Sequence, residues 1–422
     1  MRGKVWIAAA VLLAAGTALG AGAGAQTQTA PSGEQQSARR PMTFEDMMKM
    51  RRLGDIDVSR DGKWVLFSAT DVDLEKNTRT PHLWIVPVAG GQEKALTSSA
   101  VGESRGRFSP DGKQILFLTA RSGGQQIWLA DFNGEDGTIG EPQQITHIST
   151  DADGATWSPD GKHLLFQSAV YPECSANGQS GEDEDACDRK RDEEHRQSKV
   201  KAQIFTHLLY RHWNTFTDDK RTHLFLLSVD DGTFRDLNPG DTHDVPPFSL
   251  GEPDGWDFSP DGKEIAFEEK KVDDPALSTN VDIFTLRLDD LNAKPVKIST
   301  SPGGDFTPRY SPDGKYIAWR MQKRAGYESD RFRLVLYSRG EAASRSASQQ
   351  VSKSAGGGGI REILPNFDRW VDEEVWSPDS KVIYFTAGDA GEEPIYSVGV
   401  DLGRLTVGSE PNRLTKIGEY GD

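Results

Sequence analysis

Three places in the 422-residue chain carry side chains that could do chemistry. Arg211-His212-Trp213 sets a cation, a titratable imidazole and an aromatic face side by side, suited either to ligand contact or to anchoring a packed segment. Glu373 and Glu374 are adjacent carboxylates that could hold a substrate ammonium, the other reading being solvated acids at the start of a strand. Cys174 and Cys187 are the two cysteines. In an oxidising compartment such a pair is most simply a disulfide closing a surface loop, worth about 3 kcal/mol. A zinc site would need two more ligands nearby, and only His195 is close in sequence.

The motifs that would make the chain an enzyme by itself are missing from its sequence. The one Gly-x-Ser-x-Gly stretch, Gly102-Glu-Ser-Arg-Gly106, runs straight into the Ser109 turn unit rather than from a strand into a helix, so it is no nucleophile elbow, and there is no His-Glu-x-x-His, no Cys-x-x-Cys and no dinucleotide fingerprint. His207 and His212 are five residues apart, a spacing unsuited to one helical face. The glycine run 356–359 neither follows a strand nor opens a helix, so it is no phosphate loop. No catalytic residue, metal or cofactor is therefore assigned.

What positions these groups is a repeat. Ser59-Arg-Asp-Gly-Lys63 is followed by Ser-Pro-Asp-Gly-Lys at Ser109, Ser158, Ser259 and Ser311, and by a degenerate Ser-Pro-Asp-Ser-Lys at Ser377. The intervals between these serines are 50, 49, 101, 52 and 66 residues. A period near 50 is the length of a four-stranded propeller blade. Four positions before the turn Gly (or Ser380) stand Val58, Phe108, Trp157, Phe258, Tyr310 and Trp376. Five positions after it stand Phe67, Phe117, Phe166, Phe267, Trp319 and Phe385. Residues recurring in every unit whatever its surroundings pack blade on blade rather than stack a ligand. The repeated aspartates are turn residues that bond their own backbone, not calcium ligands. The sequence thus predicts an all-β propeller of four-stranded blades, with six recognisable repeats over residues 43–422, and reads it as a truncated seven-bladed ring.

Two intervals are too long. The 101-residue gap holds one blade plus an insertion over about 170–221 in blade three, comprising the cysteine loop, a charged stretch over 188–201 able to form a short helix, and a dense apolar segment around 204–216. Residues that apolar should pack on something. The 66-residue gap is a Ser/Ala/Gly-rich flexible loop at 340–359 in blade five.

At the N-terminus, Arg2 and Lys4 precede an apolar run over 5–19 and an Ala23-Gly24-Ala25 site. This is a cleavable signal peptide, residues 1–25, and the run is short for a bilayer span of roughly 20 residues. A linker, 26–42, follows. The expected location is periplasmic or secreted, with no membrane contact after cleavage. Loss of Arg2 and Lys4 takes the net charge from −16 to −18, the wrong sign for nucleic acid or anionic lipid.

The opening Met42-Thr-Phe-Glu-Asp-Met47 and the Ser-Pro-Asp-Gly-Lys blades resemble the propeller of bacterial dipeptidyl-peptidases and acylaminoacyl-peptidases of the prolyl oligopeptidase family. So do Val170-Tyr-Pro-Glu-Cys174, Leu208-Leu-Tyr-Arg-His-Trp213, Asp244-Val-Pro-Pro-Phe248, Ala276-Leu-Ser-Thr-Asn280 and Gly326-Tyr-Glu-Ser-Asp-Arg-Phe332. The resemblance implies a domain that precedes an α/β-hydrolase, covers its active site, admits short peptides and helps bind their N-termini. Chain 1–422 would then be the substrate-gating and substrate-selecting part of an exported serine exopeptidase, inactive without the hydrolase that meets its peptide substrates. The competing expectation is a self-contained six-bladed TolB-like periplasmic propeller acting through protein partners.

Overall fold

The computed structural model describes residues 40–176, 178, 180–206, 208–212, 214–248, 255–339, 359–400 and 410–416. The signal peptide, most of the linker, His207, Trp213 and residues 340–358 lie outside these.

Six four-stranded antiparallel sheets follow one another along the chain, strands in sequence order. Blade one comprises Arg52–Val58, Trp64–Asp73, Thr78–Pro87 and Lys94–Ala95. Blade two comprises Ser104–Phe108, Gln114–Thr119, Gln126–Asn133 and Gln143–Gln144, and its long third strand also pairs with a short extra strand, Thr138–Ile139. Blade three is Asp153–Trp157, His163–Val170, Arg221–Ser228 and Phe234–Asp236, and blade four is Trp256–Phe258, Glu264–Glu269, Asp282–Arg287 and Val296–Lys297. Blade five is Asp305–Tyr310, Tyr316–Met321, Arg333–Ser338 and Ile360–Glu362; blade six is Val371–Trp376, Val382–Ala387, Ile395–Gly399 and Asn412–Arg413. The protein is a six-bladed β-propeller.

The repeated turn works through its serine. In blade four the Ser259 hydroxyl donates to Asp261 Oδ1 (2.7 Å) and accepts from the Glu264 N–H (3.0 Å), while the Gly262 N–H donates to the Ser259 carbonyl (2.8 Å). Gly262 has φ +68°, and in blade six Ser380 takes the same left-handed conformation at φ 62°. Ser259→Ala should cost about 1–2 kcal/mol, because it leaves the Glu264 N–H without its acceptor. Urea unfolding measures this, and a loss within about 0.3 kcal/mol would mean the hydroxyl is dispensable.

A second repeated device closes the outer edge of blades one, two, four and six. The hydroxyls of Thr97, Thr146, Ser299 and Thr415 accept the N–H of Leu83 (2.9 Å), Ile127 (2.8 Å), Ile283 (3.0 Å) and Ile395 (2.9 Å). The short fourth strand ends there because a side chain takes over the ladder bond.

The core is a series of apolar wedges between blades. Leu66, Phe108 and Phe117 join blades one and two; Leu118, Leu164 and Phe166 join two and three; Leu165, Phe258 and Phe267 join three and four. Tyr310 and Trp319 with Ala266 join four and five, and Trp376 and Phe385 with Ala318 join five and six. The repeated aromatics therefore sit between blades. Among the described residues no sixth wedge joins blade six to blade one. Val375, on the outward face of blade six, is 63% exposed, and no residue of blade one's first strand is buried. The helix α1 (Phe44–Lys49), started by a Thr43–Asp46 capping box, lies beside blade one.

Candidate functional site

The first strands lie against one another in successive blades, nearest the axis. Five of them carry an irregular register, and in blade six it falls between Val371 and Glu374. A bulge re-aims the side chains that flank it. Here it splits the paired acids: Glu374 is buried between blades, whereas Glu373 stays half-buried in the bulge beside Asp372.

Glu374 belongs to a polar relay across three blades. In blade five Thr307, at φ 56°, donates its N–H to Glu268 Oε1 of blade four (2.6 Å) and its hydroxyl to Glu374 Oε1 (2.9 Å). Arg320 Nε donates to Thr307 Oγ1 (3.0 Å) and lies 3.7 Å from Glu374 Oε2, while its NH1 bonds Asp372 (2.8 Å). The guanidinium sits 4.9 Å from the Phe332 ring, which meets Trp370 edge-on at 4.9 Å. Burial pushes Glu374 up to about 7, and Arg320 and Arg309 pull it back. The Glu374 carboxylate is thus committed to the blade interface. Asp372, bonded to Arg320, and Glu373 are the half-buried acids of the bulge.

Similar latches recur where neighbouring blades meet. Asp57 Oδ2 accepts the Phe108 N–H (2.8 Å), and Asp257 Oδ2 accepts the Tyr310 N–H (2.8 Å). Burial raises Asp257 to about 6, against the pull of Arg309.

The insertion runs between Val170 and Arg221. It opens with α2 (Pro172–Ser175) and α3 (Glu182–Gln197), joined by the Cys174–Cys187 disulfide. Three expectations are corrected here. The helix starts inside the segment read as a cysteine loop, because Glu182, Asp183, Glu184 and Asp185 form its first turn and favour the positive end of the helix dipole. The disulfide staples two helices, with Cys174 wholly buried, rather than closing a surface loop. The apolar segment beyond does not pack away: Ile204 is 86% and Leu208 56% exposed, and Phe205 meets Tyr210 (5.1 Å) and Phe216 (6.0 Å) of the same segment.

At the tip Arg211–His212 pairs with Thr215–Phe216 as a small hairpin. Arg211 is exposed; the His212 backbone is in the hairpin, and Trp213 lies outside the described residues. Arg211-His212 and Glu373-Glu374 are therefore on two different features, a small hairpin and the first strand of blade six.

Comparison with known proteins decides the family. Dipeptidyl-peptidase 5 of Porphyromonas gingivalis is 30% identical over 372 residues, covering 86% of this chain and 48% of the relative. Its Porphyromonas endodontalis counterpart is 30% identical over 310 residues, covering 72% and 42%. The chain is a β-propeller homologue of dipeptidyl-peptidase 5. It spans about half the length of the dipeptidyl-peptidase 5 relatives it matches. A solved Pyrococcus horikoshii acylaminoacyl peptidase shares the fold, with a TM-score of 0.57 at 16% identity over 88% of this chain and 47% of that one. No protein-family model matches the chain.

Sequence reasoning missed the Arg320 relay of this dipeptidyl-peptidase 5 homologue and the buried face of α3. Arg320 does carry a signal, since it follows Trp319 in a strand that otherwise reads as buried. A cation in such a run needs acids opposite it. Asp57, Arg107, Asp257 and Arg309 share one repeat position, five before the turn Gly, which marks the latches.

Proposed function

We propose that this propeller gates and selects peptides for a serine exopeptidase of the dipeptidyl or acylaminoacyl type, working with an α/β-hydrolase domain. The observation that carries the reading is the match of 86% of the chain to about half of dipeptidyl-peptidase 5. A ring of blades in front of a catalytic domain admits chains thin enough to pass and excludes folded proteins. Glu373, half-buried at the bulge of blade six, supplies a carboxylate for a substrate ammonium, and the segment Arg211-His212-Trp213 supplies a contact for the rest of the peptide. Export rests on residues 1–25, which have the charge, apolar run and small-residue site of a signal peptide. Among the described residues no helix is long and apolar enough to cross a membrane.

The test joins this chain to the remaining half of Porphyromonas gingivalis dipeptidyl-peptidase 5. The chain alone should turn over neither dipeptidyl nor acylaminoacyl chromogenic substrates, since acyl transfer needs an activated nucleophile and an oxyanion hole. The chimera should cleave short peptides and leave folded proteins intact. Turnover by the rigorously purified chain alone, or equal rates on short peptides and folded proteins, would defeat the proposal.

A further inference from the structure

We propose that Glu184, His223 and Asp236 form a binding site for one divalent transition-metal ion of the zinc type, which pins the insertion helix α3 to blade three. The three side chains come from α3 and from the third and fourth strands of blade three, and are 1%, 0% and 6% exposed. Their ligand atoms all lie within 4.8 Å of one another. One imidazole nitrogen with two carboxylates suits zinc and its first-row neighbours, whereas calcium and magnesium take oxygen sets.

Three observations point to an ion rather than to an ordinary buried cluster. First, both carboxylate oxygens of Glu184 are buried with no hydrogen-bond donor, and so is Asp188 Oδ2 one helical turn along. A buried carboxylate without a well-formed hydrogen bond is costly, and here Glu184 faces a second acid, Asp236. Second, His223 is held as a ligand would be. Its Nε2 donates to the Asp241 carbonyl (2.8 Å), and its Nδ1 lies 2.7 Å from Asp236 Oδ2 in a hydrogen-bonded ion pair, whose proton a metal ion would replace. An ion with bonds of about 2.0–2.1 Å requires those two atoms to part by roughly half an ångström.

Third, a neighbouring cluster shows how this fold otherwise neutralises such a set. Asp241, His243 and Glu269 also converge, but there Lys271 Nζ bonds Asp241 (2.7 Å) and Glu269 (2.9 Å). That cluster has its cation built in. In the first cluster Asp236 pairs with His223, and Glu184 has no Lys or Arg ion pair among the described residues.

The surroundings are stiff enough to hold ligands in place. A Cβ on Gly181, just before α3, would meet the Phe234 carbonyl at 2.8 Å, and the Gly240 N–H donates to Ser175 Oγ (3.0 Å). The disulfide at Cys187 fixes the same turn of α3 that carries Glu184 and Asp188.

The experiment uses the full chain without a histidine tag, stripped with chelator, given one equivalent of zinc chloride and dialysed. Elemental analysis should find about one zinc per chain, and zinc should raise the melting temperature of the stripped protein. Glu184→Gln keeps the shape of the side chain and should weaken zinc binding at least about 10-fold in a competition titration, abolishing the zinc-dependent shift in melting. Absence of retained zinc in the wild type, or unchanged retention in Glu184→Gln, overturns the site; the second result assigns the cluster to a shared proton. Should Glu184→Gln fail to fold, the melting of wild type with and without zinc decides alone.

Discussion

Replacing Trp319 by alanine is expected to destabilise the propeller by about 3–5 kcal/mol, the range for a fully buried tryptophan. Trp319 is wholly buried in the wedge between blades four and five, and its indole N–H donates to Asp305 Oδ1 (2.6 Å). The other oxygen, Asp305 Oδ2, is buried without a donor. Alanine therefore opens a cavity and also strips a buried acid of its donor, and the second loss adds to the first. Trp319→Phe separates them, since it keeps most of the volume and removes only the donor. Denaturant unfolding should rank wild type above Trp319→Phe above Trp319→Ala. Equal stability of the two variants would show that the N–H to Asp305 bond contributes nothing.

In chelator, the stability of the protein should fall as pH rises from about 5 to about 8, by at least about 2 kcal/mol. Burial raises three carboxyls that lie outside the proposed metal site: Asp257 to about 6, Glu374 to about 7 and Asp305 to about 8, from ordinary values of 3.8, 4.5 and 3.8. Between the ordinary and the raised values the folded state holds protons that the unfolded state has released. Stability from these groups is thus fully present below pH 4 and is lost as pH climbs through 6, 7 and 8. The turn aspartates act in the opposite sense. Serine and backbone donors lower Asp61 to about 2 and lower Asp111, Asp160, Asp261, Asp313 and Asp379, so their share disappears as pH drops below about 4. The optimum should lie near pH 5. Glu374→Gln removes one titrating group and should flatten the slope around pH 7. Stability that is constant or rising from pH 5 to 8 would refute the assignment of raised values.

Much of the fold was legible because it is repeated. Six Ser-Pro-Asp-Gly-Lys-type turns, with an aromatic or β-branched residue before and an aromatic after, gave blade number, strand order and the packing role of the aromatics, each copy checking the others. The non-repeated parts had no such check. The acidic run 182–185 was taken for a loop since its charge suggested solvent, whereas the helix dipole and the face of blade three accept it. The apolar segment 204–216 was expected to pack, yet it stands out on the surface, because burial depends on a neighbour that local composition does not specify. Glu373 and Glu374 look equivalent as letters. Alternation sends them to opposite faces, and the one-residue bulge between Val371 and Glu374 decides that it is Glu374 that goes between the blades towards Arg320.

Among the described residues, five wedges join the six blades in a linear series with blades one and six at its ends. Blades two to five each rest on two neighbours, but blades one and six rest on one, so detaching a terminal blade costs one interface and detaching an internal one costs two. Opening therefore begins at the ends and travels inward, and the last structure to let go is the middle of the array, blades three and four. The insertion with its stapled helices is carried by blade three. The least repeated part of the protein is thereby mounted on its most durable section, while the blades at the ends of the series remain the pliable ones.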